Sequence, residues 1–168
     1  MMTRRLLAPL AAALVLAAPA LAQTNETEVS QAMIRTLDLC LDTLRGRASW
    51  SSGLDRLGYR TTSSGARVLP VGGAVVAASM GSNTSGASTV QLCEITAAPQ
   101  IRDPSALNSA LAARAGGLPV MPRGPIKGGG DMGGYANMNG TGLIVLALSN
   151  RPARGAAGTT TSLSVIWK

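Results

Sequence analysis

The chain has 168 residues, enough for one domain with a single core, and 15 Lys and Arg against 8 Asp and Glu give a net charge of +7. It contains no His, no Phe and only two Trp and two Tyr. That excludes Ser-His-Asp and Cys-His catalysis, His-based zinc sites and the aromatic platforms of single-strand nucleic-acid binders. The cations are scattered from Arg35 to Lys168 with no run that could track phosphates, so no nucleic-acid partner is expected.

Residues 1–22 read as a cleaved export signal. Arg4 and Arg5 supply the positive start, Leu6 to Ala18 is apolar apart from Pro9, and Ala20-Leu21-Ala22 ends in the small-residue pattern of a signal peptidase site. The run is shorter than the roughly 20 residues that span a bilayer, and no Cys follows the cut to carry a lipid. The expected product is residues 23–168, a single periplasmic or secreted domain with no integral membrane segment. Losing Arg4 and Arg5 leaves thirteen cations against eight anions, a net +5. Arg far outnumbers Lys and Ala and Gly are abundant, the usage of a GC-rich bacterial genome.

Asn25 to Arg45 carries a cap residue, Glu28 three positions on, and Val29, Met33, Leu37, Cys40, Leu41 and Leu44 at helical spacing. A helix ending at Gly46 is predicted. Ser52 to Leu57 suggests a helical turn, and Tyr59–Thr62 with Ala66–Leu69 a hairpin that Pro70 interrupts. Ala74–Met80 and Ser88–Thr96 read as strands around a Ser82–Gly86 turn. Asp103 and Pro104 open a second helix that Gly116-Gly117 ends. Leu143–Ser149 and Thr159–Trp167 close the chain as strands joined by a turn carrying Arg151 and Arg154. No internal repeat is visible. The expected fold is α+β: a mostly antiparallel sheet of about five to six strands with two helices packed on it.

Residues 117–142 hold nine Gly and three Pro and read as a Gly-rich loop, with Leu118–Met121 as an edge strand. Arg123, Lys127, Asp131 and Tyr135 make it the candidate contact surface, since binding residues favour loops on a rigid scaffold. Met121, Met132 and Met138 lie in the same stretch and are the candidate soft ligands for Cu(I). Gly128, Gly130 and Gly133 match the dinucleotide fingerprint in spacing, but no strand precedes and no helix follows them. Asp38 and Asp42 share a helix face with Arg35 and Arg45, which reads as a solvated ion-pair face rather than a glycosidase pair.

Cys40 and Cys93 are the only cysteines. In an exported chain they are expected to form one disulfide, closing a loop of about 50 residues and adding roughly 4 kcal/mol in the chain-entropy model.

The signal ending Ala20-Leu21-Ala22, the helix with Cys40, Leu57-Gly58-Tyr59 leading into strands, and the strand with Cys93 before a second helix together resemble small exported single-disulfide proteins of alphaproteobacteria. The resemblance covers about two thirds of residues 23–168 and implies no activity. The residues themselves point to a non-catalytic envelope protein that binds a protein or a small ligand and needs no cofactor. The alternatives are a periplasmic Cu(I) carrier and an atypical enzyme built without His.

Overall fold

The structure, a computed structural model, describes residues 24–85, 88–153 and 158–168. The expected export signal and Arg154 lie outside the described residues. Helix α1 (Glu26–Leu44) forms as its pattern predicts: Asn25 Oδ1 accepts the Glu28 N–H at 3.3 Å, and Val29, Met33, Leu37, Cys40, Leu41 and Leu44 are all buried. Helix α2 (Trp50–Arg56) rests on α1, where Gly53 leaves room for Leu39. Helix α3 (Ser105–Arg114) starts just after Pro104, and Asp103 Oδ1 accepts the Ser105 N–H at 3.0 Å.

Eight strands follow in chain order: β1 (Arg60–Thr61), β2 (Arg67–Val71), β3 (Ala74–Ser85), β4 (Ser88–Ala98), β5 (Val120–Pro125), β6 (Asp131–Ala136), β7 (Leu143–Pro152) and β8 (Thr159–Trp167). They make one antiparallel sheet in the order β1-β2-β3-β4-β8-β7-β6-β5. This corrects the expected five to six strands and two helices. Strand takes 43% of the described residues and helix 26%, so the sheet dominates.

The topology is duplicated although the sequence shows no repeat. Twice the chain lays down helix and then a four-stranded meander, and the two meanders join through their last strands, β4 and β8, paired from Gln91↔Trp167 to Ala97↔Thr161. The helices all share one face. There α1 packs on Val76, Cys93, Ile95 and Val165, and Leu107 and Leu111 of α3 join the same core with Leu146 and Leu148. Arg114 clamps α3 to α1 through Asp38, with Nε–Oδ1 at 2.6 Å and Nη2–Oδ2 at 2.8 Å. Asp38 therefore pairs across to α3 rather than with Arg35 or Arg45 on its own helix.

One further expectation is corrected. The stretch 117–142 is no loop, because β5, β6 and their turn occupy most of it. Its glycines are what let the hairpin close on the sheet: Gly130 sits at φ 87° and Gly134 at φ 153°, each against the backbone of β7 with no room for a Cβ. A register shift between Met121 and Gly124 lets Pro122 and Arg123 bulge from the edge strand. Cys40 on α1 and Cys93 on β4 are buried free thiols within hydrogen-bonding range of each other.

Candidate functional site

Among the described residues, no helix covers the second face of the sheet. Its side chains fall into cross-strand rows from β3 through β4, β8 and β7 to β6: Ala77, Thr96, Ser162, Ser149 and Met132 in one, Ser79, Glu94, Ser164, Ala147 and Gly134 in the next, and Gly81, Leu92, Ile166, Val145 and Ala136 in the third. On a flat uncovered sheet these residues would meet water. Instead Ala147, Ser149 and Ser162 are only 1%, 2% and 3% exposed. The face is therefore concave, with small residues on its floor and bulkier ones at its walls.

A hollow of about 410 Å³ lies over the floor, walled by Leu92, Met121, Met132, Ala136, Met138, Val145 and Ile166 and bordered by Glu94, Arg151, Ala147 and Ser164. A second hollow of about 280 Å³ adjoins it, between Glu94, Thr96, Arg151, Pro152, Thr160 and Ser162. A third, of about 320 Å³ beside Trp50 and Arg67, also reaches Glu94 and Thr96. Glu94 thus borders all three. Ile144, Val145 and Ala147 form a small core of their own here with Met121, Met132 and Ile166, which fixes the apolar wall.

Two buried polar atoms of this face lack a partner: Ser149 Oγ and Arg151 Nε. Such atoms are uncommon in folded proteins and mark places where a ligand or water completes the bonding. The carboxylates point the same way. Asp38, Asp55 and Asp131 are ion-paired with Arg114, Arg67 and Arg123, Glu26 accepts the N–H groups of Arg102 and Asp103, and Asp103 accepts that of Ser105. Glu28 and Asp42 sit on the surface of α1. Glu94 alone stands half-buried on the uncovered face, and it forms no ion pair among the described residues.

Comparison with protein-family models, with curated proteins and with solved structures found no match. What this face can do rests on its own chemistry.

The residues expected to form one contact surface are dispersed. Arg123 and Asp131 are spent on each other across the β5–β6 hairpin, Nε–Oδ2 at 2.9 Å and Nη2–Oδ1 at 2.7 Å. The Arg123 guanidinium holds the Asp131 carboxyl below its usual range, and Asp131 in turn raises Arg123. Lys127 is exposed in the hairpin turn, while Tyr135 packs on the opposite, helix-covered side. Met121, Met132 and Met138, in contrast, meet at the wall of one hollow. Among the described residues no three His, Cys, Asp or Glu cluster to hold a metal, and no helix is long and apolar enough to cross a membrane.

Sequence reasoning missed Glu94, Arg151, Ser149, Val145 and Ile166 as site residues. A signal was present in the alternation of Thr160, Ser162, Ser164 and Ile166 along β8 and of Val145, Ala147, Ser149 and Arg151 along β7. Both strands carry small and polar residues on the face away from the helices, where an ordinary solvated sheet face would carry long charged ones.

Proposed function

We propose that the chain is an exported, non-catalytic binding protein whose site is the concave sheet face, and that it takes a small amphipathic ligand. One observation carries this reading: an apolar hollow of about 410 Å³ with a few convergent polar groups, on a face whose floor is almost fully buried without any element among the described residues covering it. Ligand sites have this size and make-up. No second carboxylate borders the hollow beside Glu94, so the pairing that acid–base hydrolysis uses is not assembled there. Ser164 points into the hollow from β8, and Ser164→Trp fills it. An uncharged naphthylamine dye is expected to fluoresce on binding the parent protein and to lose that signal in the variant. Dye binding that survives the substitution overturns the reading.

A second reading has an observation of its own, the convergence of three thioethers. Soft sulfur ligands select Cu(I), and Met121, Met132 and Met138 share one wall. In a Cu(I) titration against a competing chelator, replacing all three Met by Leu is expected to abolish metal uptake while dye binding persists. Equal uptake by the parent and the triple variant removes this reading.

A further inference from the structure

We infer that the hollow takes a zwitterion: a small apolar molecule that offers an ammonium group to Glu94 and a carboxylate to Arg151. The inference rests on the reading of the concave face as a ligand site. Glu94 and Arg151 border the same two hollows, and among the described residues no other charged residue borders either. They do not pair with each other, and Arg151 pairs with none of the eight carboxylates.

Their separation follows from the register. Glu94 lies opposite Ser164, which lies opposite Ala147, and Arg151 is four residues further along β7. That is about 10 Å across two strands and about 13 Å along one. Each side chain spans part of the distance, and a gap is left over the floor between them. Ser149 sits in that gap, between Ala147 and Arg151 on its own strand and Met132 and Ser162 on the neighbours. Its hydroxyl is buried and without a partner.

Opposite charges held apart in a partly desolvated hollow are each under-solvated. A ligand with a single charge completes one and leaves the other as it was. A zwitterion completes both by charge-assisted hydrogen bonds, while its apolar part lies on Val145, Ile166 and the methionines. Apolar amino acids and short apolar peptides carry this chemistry. A fatty acid or a simple amine carries half of it.

Calorimetric titration of the purified protein tests this with leucyl-leucine, its N-acetyl form and its amide. Leucyl-leucine is expected to bind, and each capped form to bind at least about tenfold more weakly, a loss of roughly 1.4 kcal/mol. Glu94→Gln is expected to erase the preference over the N-acetyl form only, and Arg151→Gln the preference over the amide only. Capped forms that bind as tightly as the parent peptide, or variants that keep both preferences, overturn the inference. If the uncharged dye binds and leucyl-leucine does not, the zwitterion fails and the hollow stands as a site. If neither binds, both fail.

Discussion

Tyr59 shows how one side chain ties the chain's local chemistry to its stability. Its ring is 4% exposed under α1, and its hydroxyl meets Thr36 Oγ1 at 2.9 Å, while Thr36 also bonds the Ala32 carbonyl one turn back. Burial pushes the phenol from 10.0 up to about 12, and the bond to Thr36 opposes that rise more weakly. A folded-state value above the unfolded one stabilises the fold fully below the unfolded value, and the benefit is lost as pH rises through the folded one. Two units correspond to about 2.7 kcal/mol, lost between about pH 10 and pH 12. Tyr59→Phe is expected to cost about 1 kcal/mol at neutral pH for the lost hydrogen bond and then to outlast the parent in alkali. Urea unfolding of both proteins from pH 8 to pH 12 reads the difference directly. A constant gap across that range would rule out Tyr59 as the alkaline trigger.

Strand β6 is the element on which the candidate site depends most, since it seats Met132, faces Gly134 toward Met121 and leads into the loop with Met138. Its contact with β7 needs the missing side chain at Gly134. A Cβ there would fall 2.8 Å from Ala147 Cα and closer still to the Leu146 carbonyl, at a φ of 153° that other residues avoid. Gly134→Ala is expected to cost about 2 kcal/mol or more. The loss should be local: amide exchange across Met132–Ala136 speeds up while β4 and β8 keep their protection. Uniform acceleration over the whole sheet would show that β6 is not a separable unit. The same glycines explain what was legible beforehand. Helix α1 could be read because its cap and its buried stripe are both written in side chains, β7 because it is a continuous apolar run, and β8 because Leu163, Val165 and Trp167 alternate with others. Strand β6 could not, because Gly133 and Gly134 have no side chains with which to mark alternation. The methionines were visible as a residue type, but their meeting depends on the Met132↔Ser149 and Met121↔Gly134 pairings. That Glu94 and Arg151 share a hollow could not be read beforehand, since only the β4–β8–β7 order brings them together.

At the scale of the whole molecule, the two halves touch through β4 and β8, and α1 binds the first half to that seam. Cys40 and Cys93 sit where α1 crosses it. The neighbouring Cys40 thiol and then burial push the Cys93 thiol well above its usual range. Both sulfurs are fully buried, so the folded pair is shielded from oxidants and alkylating reagents alike. We propose that an exported chain closes this pair before α1 seats, with a small disulfide oxidant such as oxidised glutathione taking the two hydrogens and two electrons. The reduced, folded protein is then expected to resist iodoacetamide at neutral pH and to remain unoxidised when glutathione disulfide is added. Refolding from denaturant with the same oxidant present should give an intact mass two hydrogens light. Closure of that loop of about 50 residues should add roughly 4 kcal/mol against urea, less any strain the bond imposes on the α1–β4 spacing. Rapid alkylation of the folded protein would refute the protection. An oxidised form no more stable than the reduced one would mean that the packing of α1 on β4 already supplies all the constraint the seam can use.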